Sequence, residues 1–192
     1  MIKHTVIALS TAFIALVAGP AASAGGVSEQ FGGGAFGVPW NAPRGAVESH
    51  YPGGKWLKDE KGRDNYCVVS TQTLLHLPPP HQTRELCFLL NASSQVSGVM
   101  ARMDASLPTL LAVVNRSRTT FGDFDAVRRD EGEIISHSTK MLWTRDAPYV
   151  VQVASRNDDN GSPVEVSFTV SEESSFAAGA AKVSNAPPPG RR

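Results

Sequence analysis

The sequence predicts an all-β protein, an antiparallel β-sandwich with one disulfide and flexible tails, and three observations predict it. In "VEVSFTV", Val164, Val166, Phe168 and Val170 alternate with Glu165, Ser167 and Thr169, the two-residue period of a strand with one buried face. Upstream, "PYVVQVAS" puts Tyr149, Val151 and Val153 on one face, and "RNDDNGSP" supplies the Asn-Gly turn chemistry that joins antiparallel neighbours. Further apolar runs have strand length, while no helical period is sustained.

Residues 1–24 read as a secretory signal peptide. Lys3 precedes an apolar run from Val6 to Ala18, and Ala22-Ser23-Ala24 is the small-x-small pattern a signal peptidase accepts, with cleavage expected after Ala24. The run is about 13 residues, short of the roughly 20 that a helix needs to cross a bilayer core. The expected product is a mature chain from Gly25 to Arg192, periplasmic or extracellular, with no membrane insertion after signal cleavage.

Residues 25–62 form a Gly- and aromatic-rich N-terminal arm or linker. The segment has neither a 3.6 nor a 2.0 period, and its glycines and prolines raise the entropic cost of ordering it. Phe31, Phe36, Trp40, Tyr51 and Trp56 are too apolar for a plain spacer, so part of the arm is expected to lie against the domain or against a partner.

The sandwich domain is read as 63–170. It opens with "YCVVSTQTLLHLPPPHQTRELCF", which holds both cysteines of the 192-residue chain. Outside the reducing cytoplasm such a pair becomes a disulfide, so Cys67–Cys87 is expected to be a staple. Closing this loop stabilises by about 3 kcal/mol in the chain-entropy picture. Pro78-Pro79-Pro80 marks the connection between two strands, because proline cannot donate to a ladder. Only His76 and His81 lie between the cysteines, and the spacing is not C-x-x-C, so zinc and dithiol catalysis are both disfavoured. "ELCFLL" (85–90), "VSGVMARM" (96–103), "TLLAVV" (109–114) and "KMLWT" (140–144) are expected strands. Runs without alternation point to strands covered on both sides, and the loop spacing fits two stacked sheets. Residues 171–192, rich in Ala, Ser and Pro, read as a disordered tail.

Charge excludes one class of partner. The chain carries 18 basic and 18 acidic residues, and losing Lys3 leaves a single acidic excess, so no net field draws it to nucleic acid or an anionic membrane.

From Asp104 onward the order "MDASLPTLLAVVN", "FGDFDAVRRDEGEIIS", "KMLWTRDAPYVVQV" and "GSPVEVSFTV" resembles bacterial pre-peptidase C-terminal domains, small jelly-roll modules appended to secreted peptidases. Tyr149 to Val153 matches their aromatic-led strand, and Gly161 with Val164 to Val170 their last one. The match covers a third to a half of the chain. It departs from the family in having Ala147-Pro148 where glycine is usual, and no peptidase is attached. The resemblance implies a jelly-roll-like fold and an accessory role, and it carries no functional residues across.

No catalytic, cofactor or metal residue is assigned. His50, His76, His81 and His137 form no H-E-x-x-H, and G-x-S-x-G is absent. In "SHSTK", Ser136 and His137 would point to opposite faces of a strand. Asp123, Asp125, Asp130, Glu131 and Glu133 form an acidic stretch of the kind that holds calcium, but Arg128 and Arg129 interrupt it and mark a solvated, ion-paired face. "NDDNG" echoes an EF-hand loop but lacks its first and twelfth ligands. Three N-x-S sequons, at Asn91, Asn115 and Asn160, matter only in a eukaryotic host. The expected function is a non-catalytic binding or accessory module for a protein or glycan partner. The alternatives are a small secreted hydrolase with an unidentified site, or a structural component of the cell surface.

Overall fold

The computed structural model describes residues 25–59, 62–131, 137–146 and 148–172. The expected signal peptide and nearly all of the expected C-terminal tail lie outside the described residues. Eight strands run antiparallel: β1 (Lys55–Lys58), β2 (Asp64–Val69), β3 (Thr83–Leu90), β4 (Val96–Met103), β5 (Ala126–Glu131), β6 (His137–Trp143), β7 (Tyr149–Asn157) and β8 (Pro163–Glu172). They hydrogen-bond in one sheet of order β1-β2-β3-β4-β8-β7-β6-β5. The all-β antiparallel fold is the one the sequence predicts.

Register follows from side-chain alternation. Trp56, Tyr66, Phe88, Val99, Val170, Val151 and Trp143 form one row across seven strands. A parallel row on the same face holds Leu86, Ala101, Phe168, Val153 and Met141. A slip by one residue would turn all these side chains out into water, so the pattern pins the pairing. The opposite face carries Cys67, Cys87, Met100, Thr169 and Gln152, a smaller and more polar row. The β7–β8 hairpin closes as the Asn-Gly turn predicts. Asp158 Oδ1 accepts from the backbone N–H groups of Asn160 and Ser162, both at 2.9 Å, and Gly161 takes φ 78°.

The apolar face is covered by helical elements and the arm, where the sequence reading expected a second sheet. The run 109–114, expected as a strand, lies inside α3 (Leu107–Phe121). The flanks explain the correction. Ser106 Oγ accepts from Thr109 N–H as an N-cap, Pro108 sits in the first turn where it loses no hydrogen bond, and Gly122 at φ 83° ends the helix. Thr109, Val113 and Ser117 then recur every four residues as the buried stripe.

The arm completes this layer with α1 (Val27–Phe31) and α2 (Arg44–His50), and its residues Lys55–Lys58 form β1, so the sheet begins inside the segment read as arm or linker and not at residue 63. Val27, Phe31, Ala35, Val38, Ala42 and Val47 belong to the same core cluster as the strand residues. Together these six remove enough apolar surface from water that the arm is part of the domain's core, at roughly 25 cal/mol per Å².

Candidate functional site

The arm is held down by aromatic residues, with Trp40 spending its polar tip on backbone and Trp56 on a carboxylate. Trp40 Nε1 donates to Phe31 O at 2.6 Å while its ring stacks on Tyr149 at 5.3 Å. Tyr66 OH donates to Tyr51 O at 2.7 Å and accepts from Gly54 N–H at 2.8 Å. Trp56 lies under the Arg44 guanidinium, 3.8 Å from its ring centre, and donates to Glu48. These contacts settle where the arm aromatics go: all five named in the sequence pack against the cluster, Phe31 fully buried and the others in part.

The fold of the arm creates a recess. Ala35 and Val38 exchange both backbone hydrogen bonds, 3.0 and 3.1 Å, around a tight turn in which Phe36 (φ 52°) and Gly37 (φ 75°) are both left-handed. This turn faces the β2–β3 connection, and between them lies a cavity of about 340 Å³ lined by Gln30, Phe31, Gly34–Gly37 and Gln72–Leu75. Tyr51 braces the two walls: its hydroxyl donates to Phe36 O at 2.7 Å and accepts from Gln72 Nε2 at 2.6 Å. Burial raises the Tyr51 phenol above its ordinary value, and the Gln72 hydrogen bond opposes this in part.

A second depression, about 420 Å³, lies on the opposite face of the sheet beside the disulfide, with Leu57 and Met100 next to Lys58, Arg63 and Arg102. Its cations are committed. Lys58 pairs with Asp64 at 2.8 Å, Arg63 with Asp59 at 2.7 Å, and Arg102 with Glu85 at 2.5 Å. Arg102 also lies 3.8 Å from Glu165, which Arg156 reaches at 3.3 Å, so the charges form a closed ladder across four strands. Cys67 and Cys87 sit directly opposite on β2 and β3, Cα atoms 4.0 Å apart, and are bonded as the sequence predicts. The sulfurs and the Glu85 carboxylate cluster within 4.8 Å, but a disulfide offers no thiolate to a metal.

The histidines are dispersed in role. His50 packs its ring on Tyr51 at 4.7 Å, His76 contributes its carbonyl to Arg116, and His81 Nδ1 lies 3.1 Å from Thr109 Oγ1. Ser106 Oγ donates to Thr109 Oγ1 at 2.9 Å, making a hydroxyl–hydroxyl–imidazole chain at the start of α3. Ser136 and the side chain of His137 lie outside the described residues, as do Glu133 and the side chains of Asp130 and Glu131. Asp123 pairs with Arg118, and Asp125 caps the backbone N–H groups of Thr144 and Arg145, so both carboxylates are structural. No helix among the described residues is long and apolar enough to cross a membrane.

The recess was not legible in the sequence because its walls are distant in the chain and are joined by tertiary contacts, the Tyr51 hydrogen bonds among them.

Comparison with known proteins adds little. No family model matches the chain, and no curated protein does. Among solved structures, a DUF4309 family protein, YjgB from Bacillus subtilis, is similar at 12% identity and a TM-score of 0.40, over 69% of this chain and 82% of that one.

Proposed function

We propose that this chain is an exported, non-catalytic binding module for a protein or glycan partner. The observation that carries the reading is the braced recess between the arm turn and the 72–75 loop. A concavity whose walls are cross-tied before any ligand arrives loses little entropy on binding, which is the physical advantage of a preorganised site. Export is supported by the leader-like residues 1–24 and by the Cys67–Cys87 bond, which persists in oxidising compartments. The resemblance to pre-peptidase domains points the same way, toward an accessory role.

The test is affinity capture of exported partners on the immobilised mature chain, beside an assay for hydrolysis of common ester, peptide and glycoside substrates. The reading predicts retention of a partner, loss of that retention when Phe36→Ser disturbs the recess, and no turnover.

One observation favours the hydrolase alternative, the Ser106–Thr109–His81 chain. Thr109 is only 1% exposed and Ser106 is engaged as a helix cap, which favours a structural role for it. Turnover that disappears in both Ser106→Ala and His81→Ala, with the fold intact, would overturn the module reading.

A further inference from the structure

We infer that the recess between the arm turn and the 72–75 loop is a site for a neutral saccharide; this rests on the binding-module reading and names its ligand. Among the described residues, its lining contains no charged side chain. An ionic ligand entering it would give up hydration without gaining a counter-charge, so charge matching selects a neutral guest. The sheet's other depression is the opposite case, with every cation already balanced by a carboxylate.

What the recess offers instead is neutral hydrogen bonding beside aromatic carbon. Gln30, Gln72 and Thr73 are exposed at its rim. Each carboxamide presents two donors and an acceptor, and the threonine hydroxyl one of each kind, which matches the paired donor and acceptor character of vicinal sugar hydroxyls. The side chains of Gln30 and Thr73 have no hydrogen bond to any other described residue, so they meet a ligand uncommitted. Gln72 spends its nitrogen on Tyr51 and keeps its carbonyl oxygen. Phe36, half-buried against the core, also lines the recess and adds aromatic carbon, which suits the C–H face of a pyranose. At about 340 Å³ the cavity falls in the range of roughly 300–1,000 Å³ of small-molecule sites.

Backbone strain sits on both walls. Phe36 at φ 52° and Leu75 at φ 48° are bulky residues in the left-handed region. Such outliers persist where the surrounding structure enforces them, and they concentrate at ligand clamps. A turn whose first left-handed position would ordinarily take Asn or Gly keeps phenylalanine there, at a residue that lines the recess.

The experiment is calorimetric titration of the mature chain with cellotetraose, maltotetraose and chitotetraose, and with tetragalacturonate as the anionic counterpart. At least one neutral tetrasaccharide is expected to bind and tetragalacturonate is not. Gln30→Ala and Thr73→Ala, at exposed positions that leave the core intact, should each weaken binding about five- to tenfold, the loss of one hydrogen bond. Arg102→Ala, in the other depression, should leave it unchanged. If no neutral saccharide binds, or binding survives both rim substitutions, the assignment is overturned. Should the saccharides fail while the chain still retains an exported protein, with retention lost in Phe36→Ser, the saccharide falls and the binding-module reading stands; if both fail, both fall.

Discussion

At the scale of single residues, Tyr51 ties the two walls of the recess together. Its phenol joins the arm turn to the 72–75 loop, and its ring packs 5.2 Å from Phe88 in the core. Tyr51→Phe keeps the ring and removes both hydrogen bonds, and at about 1 kcal/mol for each it is expected to lower stability by about 1–2 kcal/mol in urea unfolding. It also predicts a pH dependence. The folded phenol titrates above its ordinary value, so as pH rises past about 10 the unfolded chain releases this proton first and stability falls; below that pH the contribution is fully present. The same alkaline titration of Tyr51→Phe should lack this component, and an unchanged slope would show that the phenol is not buried. Phe168, fully buried at the centre of the sheet, is the reference for pure packing: Phe168→Ala should cost about 3–5 kcal/mol by the same measurement.

At the scale of elements, the central strands were legible, whereas β1 and β5, which fall in segments read as arm and as solvated polar stretch, and the three helices were not. β7 and β8 announce themselves because alternation and the Asn-Gly turn are local signals, and local signals survive in a one-dimensional reading. In α3 the run Leu110 to Val114 has strand composition, and what makes it helical lies outside the run, in the Ser106 cap, the first-turn Pro108 and Gly122. Ser106→Ala should therefore lower stability by about 1 kcal/mol, read as a shift in the unfolding midpoint with unchanged slope. The staple between β2 and β3 was legible from the expectation of export and from there being two cysteines in the chain. Reduction of Cys67–Cys87 removes a constraint on the unfolded chain and should cost about 2–4 kcal/mol while far-ultraviolet dichroism stays that of a sheet, since the flanking ladder is intact. Dichroism that collapses on reduction at room temperature would contradict a purely stapling role.

At the scale of the whole molecule, the arm decides what this chain is. A two-sheet sandwich would bury its apolar face by itself and leave residues 25–54 as a tether. Here the sheet is single, and Val27, Phe31, Val38 and Val47 are among the side chains that keep its apolar face dry. The candidate recess exists only because the arm folds back, since one of its walls is the arm's own turn. The sequence showed only part of this: the aromatic residues of 25–62 pointed to contact with the domain or a partner, while its glycines and prolines hid the widely spaced aliphatic anchors that a periodic pattern would have displayed. Native-state hydrogen exchange followed residue by residue tests this most directly. The fold predicts that the amides of Asn41 and Val96, which bridge the arm to β4 through Asn41 N–H to Val96 O and Val96 N–H to Ala42 O, open with about the same free energy as those of β3 and β8. Rapid exchange of the Asn41 amide and of residues 27–50 while β3 and β8 remain protected would contradict it, and with it the recess on which the proposed function stands.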